Sequence, residues 1–266
     1  PAGPPEAACG PAKGFADAAL ARRLEAAEAG NARCYGSEVL EIAGGCAVFA
    51  GVDSPLTQAV GMGLNGPVSA AELDAMDAFF RSRGAAASVD LCPLASPELI
   101  DGLSTRGYRI KEFNNVLVKR LAGAQITFTP HIRRAVPGEQ DLWAHTVGCG
   151  FFEQHELTTE EMDVGRVIFS MGAQCFLAVS DNGEPAGGGA LTIHSGLAML
   201  FADSTITRFR RLGLHRELIS ARLNEALARA CDLATASTLP GSASQRNYER
   251  LGFEVAYTKV TLTATS

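Results

Sequence analysis

Two stretches far apart in the chain carry one pattern. PLASPELIDGLSTRGYRIKEFNNVLV (93–118) and LPGSASQRNYERLGFEVAYTKVTLT (239–263) align without gaps from Leu94 and Leu239 onward. Each runs from a strand end through a short helix and a glycine–aromatic pair into a long strand, and Gly107-Tyr108 falls opposite Gly252-Phe253. Identities are few, so what repeats is the order of elements. A repeat on this scale points to a tandem of two related units, and 266 residues are enough for two cores. The expected division is 1–122 and 123–266, with a shorter first unit and a linker at LAGAQ, 121–125.

The remaining elements alternate in the same way. The first unit is expected to hold a helix over 15–32 stopped at Gly30-Asn31, a strand over 41–51, and a strand from 56 that enters a glycine-rich turn. A helix follows, opened by a Ser69-x-x-Glu72 capping box and closed by Gly84. Strand 87–94, helix 96–107 and an extended run 108–121 complete it. The second unit reads as a strand in ITFTPHIRRA (126–135), two short helices, and three antiparallel strands from 174 to 206. These strands turn at Asp181-Asn182-Gly183 and His194-Ser195-Gly196. Helix 213–230, strand 231–238, a short helix and a closing strand end the chain. The expected fold class is α/β of the α+β type, two units that each have a mixed, mostly antiparallel central sheet flanked by helices.

Charge and composition remove several functions. The net charge of −6 argues against nucleic-acid binding, which needs a basic surface. No run approaches the ~20 apolar residues of a membrane span. The first residues, PAGPPEAACGPAKG, lack an apolar signal core and are expected to be a mobile tail. The seven cysteines are odd in number, have no CxxC spacing and sit mostly in apolar runs, as expected of buried thiols in a reducing cytoplasm. The five histidines form no metal-binding pattern, so no metal is expected. Nothing in the sequence chooses between a monomer and a homodimer.

One local basic cluster remains, RFRRLGLHREL (208–218). Arg210, Arg211 and Arg216 crowd Gly213 where a strand gives way to a helix. A helix start offers unpaired N–H groups and a positive dipole end, glycine lets an anion come close, and arginine shares its charge with phosphate oxygens. The stretch resembles the acetyl-CoA loop of the Gcn5-related N-acetyltransferase (GNAT) superfamily, Q/R-x-x-G-x-G/A. Arg210-Arg211-Leu212-Gly213-Leu214-His215 matches every position except the last. NYERLGF (247–253) resembles the closing motif of the same family, and the resemblance covers about 125–263.

The resemblance implies an acyl-CoA-dependent N-acyltransferase, with acetyl passing from acetyl-CoA to a primary amine by direct attack in a ternary complex. Backbone N–H groups from Leu212 through Gly213, Leu214 and His215 to Arg216 would hold the CoA pyrophosphate. Ser204, Thr205 and Ile206 at the strand end would pair with the pantetheine and polarise the thioester carbonyl. Tyr248 would protonate the leaving thiolate. Ser244 and Asn247 would touch the cofactor. The chain has Gly241 where many members carry an asparagine. Asp203 is the best-placed base for the amine, or a residue that caps the strand's bulge. Phe152, Glu153 and His155 would form the acceptor wall, around a small-molecule or peptide amine.

The first unit lacks these parts. Its GMGLNGPVS turn has no arginine, Pro67 offers no N–H, and Leu103 stands opposite Tyr248. It is therefore expected to be a degenerate copy without an acyl-CoA site. An acyl-CoA-binding module without catalysis is the alternative reading. A dinucleotide-binding oxidoreductase is disfavoured, because GMGLNG does not fit GxGxxG.

Overall fold

The computed structural model describes residues 17–121 and 127–264. The expected tail 1–14, with Cys9, the first two residues of the helix expected over 15–32, and linker residues 122–125 lie outside the described residues. In chain order the first half holds α1 (Ala18–Tyr35), β1 (Glu38–Ile42), β2 (Gly45–Phe49), β3 (Gln58–Val60), α2 (Ala70–Arg81), β4 (Ser88–Leu91), α3 (Pro97–Thr105) and β5 (Arg109–Arg120). The second holds β6 (Ile132–Arg134), α4 (Gln140–Phe151), α5 (Thr159–Ser170), β7 (Gln174–Val179), β8 (Pro185–His194), β9 (Leu197–Thr205), α6 (Leu214–Ala228), β10 (Leu233–Thr238), α7 (Ala243–Arg250) and β11 (Glu254–Thr263).

The eleven strands form one sheet in the order β1-β2-β3-β4-β11-β5-β10-β9-β8-β7-β6. It is mixed and mostly antiparallel, with parallel pairs only at β3–β4 and β9–β10. These two pairs occupy equivalent places in the two halves, so the repeat seen in the sequence is a repeat of topology. The closing strands are exchanged. β11 pairs antiparallel with β4 of the first half, and β5 pairs antiparallel with β10 of the second. β5 and β11 also pair with each other along most of their length, which makes the two sheets continuous.

Alternation along β7 explains the helices on both faces. Phe176 and Ala178 pack with Leu218, Ile219 and Leu223 of α6. Cys175 and Leu177 pack on the other face with Trp143 and Val147 of α4 and Ile168 of α5. Trp143 is fully buried, and its indole N–H donates to the Phe176 carbonyl at 3.0 Å.

Three local expectations are corrected. The first helix does not stop at Gly30-Asn31 but continues to Tyr35. A Cβ at Gly30 would lie 3.0 Å from the His194 ring, and Asn31 is buried and accepts from the Thr192 hydroxyl at 2.8 Å. Close packing on β8, not helix termination, accounts for the pair. The single strand expected at 41–51 is a hairpin turning at Ala43 and Gly44, both with positive φ. The strand expected over 126–135 is reduced to the three-residue edge strand β6.

Candidate active site

The site is built where β9 leaves β10. The two strands pair only from Leu197 to Met199 opposite Leu233 to Thr235, and their later residues separate. On its other edge β9 pairs with β8, but the register skips between Gly188 and Ala190, so Gly189 faces two residues, Ala202 and Asp203. Ala202 has φ +53°, so this is a β-bulge in left-handed backbone. The bulge turns Asp203 onto α6. There Arg222, fully buried, forms an ion pair with the Asp203 carboxylate. Arg222 also donates to the carbonyls of Leu218 at 3.0 Å and Ala190 at 3.1 Å. Glycine at 189 makes the room, since a Cβ there would lie 2.8 Å from the guanidinium.

Three side chains meet on Asp203. The Tyr248 hydroxyl donates to one carboxylate oxygen, and Arg222 and His215 stand on the other, His215 with its Nε2 at 3.6 Å. His215 is held through Nδ1 by the Asn247 amide at 2.9 Å and meets the Tyr248 ring edge-on. Burial alone would raise the pKa of Asp203, but the Arg222 charge, with His215 and Tyr248, holds it well below the usual carboxylate range. Burial and the Asp203 charge push the Tyr248 phenol well above its ordinary value. A carboxylate held this firmly ionised is a weak proton acceptor. Its geometry suits an anchor more than the base expected from the sequence.

Two cavities meet at this cluster. One, of about 740 Å³, runs along the N-terminus of α6 and is lined by Ser204, Thr205, Arg211, Gly213, His215 and Asn247, among others. The second, of about 480 Å³, fills the gap between the separated ends of β9 and β10. Phe151, Asp203, Leu239 and Ser244 line both. Tyr248 lines neither and is 1 % exposed.

The N-terminus of α6 has the form expected of an anion cradle. No side chain caps it, Arg211 and Gly213 have φ +68° and +85°, and a Cβ on Gly213 would meet nothing within 4 Å. Arg211 and Arg216 are exposed and make no ion pair with a described residue. Arg210 is different. It binds Glu153 at 2.7 Å and the carbonyls of Thr205 and Gly150 at 3.1 Å, so its charge is used in bracing the loop. The N–H of Arg216 is also engaged, donating to the Gly213 carbonyl at 2.9 Å, which confines the cradle's free amides to Leu212–His215. In the first half, α2 begins on a closed capping box, with Ser69 and Glu72 bonded to each other's backbone N–H. A carboxylate occupies the place an anion would take.

Other expected residues are redistributed. Ile206 donates its N–H to Ala186 at 2.9 Å, because β9 pairs with β8 again after the bulge as far as Thr205, and the Ser204 hydroxyl donates to Val147 of α4 at 2.7 Å, so both are used internally. The β9 residues that fall out of one-to-one pairing with β8 are those of the bulge, Ala202 and Asp203. Phe152 lines a separate cavity, and its neighbour Phe151 lines the site. Glu153 is paired with Arg210, and the exposed His155 lines neither cavity. Cys149 has a histidine nearby, His145 at 3.5 Å, but burial raises its thiol pKa and opposes a nucleophilic thiolate. Among the described residues no cluster of three or more His, Cys, Asp or Glu could hold a metal, and no helix is long and apolar enough to cross a membrane.

The sequence reading missed Arg222, although a lone arginine in LISARLNEAL, on the face of Leu218 and Ile219, marks a buried charge in need of a partner. It also missed Glu28, Asn31 and Tyr35 of α1 and Glu112 of β5, which line the second cavity. No local motif marks these four residues.

The fold has known counterparts. A GCN5-related N-acetyltransferase from Kribbella flavida superposes with a TM-score of 0.70 at 19% identity, over 96% of this chain and 97% of that one. A tandem GNAT protein from the clavulanic acid biosynthesis pathway has a TM-score of 0.51 at 15% identity, covering 69% and 65%. A GCN5-related N-acetyltransferase from Sphaerobacter thermophilus also has a TM-score of 0.51, at 16% identity, covering 67% and 59%. At these identities the likeness is one of fold. No curated protein sequence matches the chain. Residues 141–253, which hold the α6 cradle, the bulge and Tyr248, match the model of the Acetyltransferase (GNAT) family.

Proposed function

We propose that the protein is an acyl-CoA-dependent N-acyltransferase that passes acetyl from acetyl-CoA to a primary amine by direct attack, without a covalent enzyme intermediate. The observation that carries this reading is the meeting of two cavities at Asp203, one leading to an uncapped helix start with two arginines that have no ion-pair partner among the described residues, and the other to the gap between β9 and β10. The larger cavity suits CoA. Amides of Leu212 to His215 would take the pyrophosphate, Arg211 and Arg216 would neutralise it, and Ser244 and Asn247 would contact the rest of the cofactor. The thioester would then lie against the bulge, where a backbone N–H turned toward it would stabilise the charge that develops on the carbonyl oxygen. Asp203 would act as a positioning residue, and the thiolate would be protonated on its side of the cavity, where Tyr248 and His215 converge.

Release of CoA thiol is measured over a panel of primary amines, with acetyl-CoA binding followed separately by calorimetry. Amine-dependent thiol release supports the enzyme. The burial of Tyr248 and the ion pair on Asp203 favour one alternative, acyl-CoA binding without turnover. Binding with no amine-dependent release would establish that alternative.

A further inference from the structure

The second cavity is closed by the first half of the chain. Glu28, Asn31 and Tyr35 of α1 and Glu112 and Asn114 of β5 stand across it from the separated strands. Three of its lining residues, Glu28, Glu112 and Asp203, are carboxylates, and among the described residues that line it none is lysine, arginine or histidine. The other walls are largely apolar, with Leu24, Leu56, Val116, Ile168, Phe201 and Tyr257. Asp203 is balanced by Arg222. Glu28 is not balanced in this way, because the buried Lys259 ammonium is shared among Glu28, Glu25 and Asp90, at 2.5, 3.1 and 3.9 Å. Negative charge is therefore in surplus along this wall. Glu28 Oε2 takes the Lys259 bond, while Oε1 accepts no hydrogen bond from a described residue. On β10, Thr238 also lines the cavity, 5 % exposed and with an unpartnered hydroxyl. A buried polar atom without a partner, such as this hydroxyl, is costly unless a ligand satisfies it.

Resting on the acyltransferase reading, we infer that the acceptor is a small cationic amine with an apolar body and no carboxylate, seated between the two halves with its ammonium group toward Glu28, which takes a proton from it before attack. The volume fits a small molecule. A carboxylate on the acceptor would meet three acids and no base. The ammonium gives one proton to Glu28 and becomes a neutral amine. Its lone pair forms the C–N bond at the thioester carbonyl carbon, the C–S bond breaks, and its electron pair leaves on sulfur. The sulfur takes a proton on the side where Tyr248 and His215 converge, the nitrogen's second proton replaces the one given up there, and amide and CoA thiol result, while Glu28 returns its proton to water. Burial raises the Glu28 pKa to about 7, with Glu25 and Asp90 adding to the rise and Lys259 opposing it. A carboxylate in that range is a better base than an ordinary one. The other groups around it are Tyr257 on β11, Tyr35 on α1 and Glu112 on β5.

Matched probes test the assignment: 2-phenylethylamine against phenylalanine, tyramine against tyrosine, and 1,5-diaminopentane against lysine, each with acetyl-CoA and the full chain. The carboxylate-free member of a pair is expected to have about 100-fold higher kcat/KM, the scale of a like-charge penalty. Glu28→Gln is expected to remove the acid limb of kcat/KM near pH 7 and lower kcat by about 10- to 100-fold, with acetyl-CoA affinity unchanged. Equal or better use of the amino acids overturns the inference. So does an unaltered pH profile in Glu28→Gln, a lysine-containing peptide that outpaces every small amine, or no acetylation of any probe. Calorimetric acetyl-CoA binding, together with turnover of any amine at all, shows whether the acyltransferase reading has failed as well. The matched pairs use the unaltered protein, so the outcome does not depend on the variant's folding.

Discussion

Arg222, in the middle of α6, and Asp203, at the bulge of β9, form a buried ion pair that fixes the helix carrying the cradle relative to the strand carrying the bulge. The pair thus sets the distance between the part of the site that would hold phosphate and the part that would hold the reacting carbonyl. Substituting one partner strands the other charge. Arg222→Met is expected to lower stability by about 3–5 kcal/mol, and Arg222→Met with Asp203→Asn to recover part of the loss. Urea unfolding of the two variants measures both effects.

The same pair predicts a pH dependence. Asp203 has a lowered pKa in the folded state, so its contribution is complete above the unfolded value near ~4 and is lost as pH falls through the folded value. In Arg222→Met the sign reverses, because a lone buried carboxyl prefers its proton. The stability gap between wild type and variant is therefore expected to be widest near neutral pH and to narrow toward pH ~4. A gap that stays constant with pH would assign the loss to packing alone.

Residue by residue, the cradle separates structural from ligand-binding arginines. Arg210 is engaged by Glu153 and two carbonyls, whereas Arg211 and Arg216 have no ion-pair partner among the described residues. Arg211→Ala with Arg216→Ala is expected to weaken acetyl-CoA binding by about 10-fold or more and to flatten its salt dependence, leaving the melting temperature nearly unchanged. Arg210→Ala is expected to do the reverse, lowering the melting temperature more than it changes salt dependence. Calorimetry at two ionic strengths with thermal unfolding distinguishes them.

The features legible in the sequence were those written locally. Ser69-x-x-Glu72 closes on itself as its spacing predicts, and Arg210 to Gly213 mark the helix start. The exchange of β5 and β11 was not legible, because both closing strands follow the same pattern and their partners are set by pairing across the whole chain. Gly30-Asn31 reads as a stop in isolation, but the chain uses it for contact with β8. The carboxylates of the second cavity were hidden for a related reason. Glu28 and Glu112 lie far from the RxxG motif in sequence and join its site only because α1 and β5 cross to the other half.

Gly213 offers a test that separates folding from binding. Its φ of +85° disfavours any side chain, yet a Cβ there would meet no atom of a described residue within 4 Å. Gly213→Ala is therefore expected to cost only about 1 kcal/mol of stability, while Gly213→Val places a branched side chain over the cradle and abolishes acetyl-CoA binding. A Gly213→Val protein that binds normally would exclude this helix start as the phosphate site. The closed box at Ser69 and Glu72 supplies the control, since α2 has no free cradle. Titration should give one acetyl-CoA per chain, and Glu72→Ala, which loses about 1 kcal/mol of capping, should not create a second site.

Tyr248 and His215 share Asp203 but differ in access, and this sets apart their expected variants. Tyr248→Phe keeps the ring contact with Phe253, centroids 4.9 Å apart, and loses only the hydroxyl on Asp203. It should lower kcat by about 10- to 100-fold if that hydroxyl supplies the thiolate's proton, with acetyl-CoA affinity unchanged. His215 lines the cofactor cavity, so His215→Ala should weaken acetyl-CoA binding modestly, and its effect on kcat should be smaller than that of Tyr248→Phe. The opposite order would move the proton donor to the imidazole, the member of the cluster that opens on the cofactor. Single-turnover thiol release at saturating acetyl-CoA gives the two values free of any difference in binding.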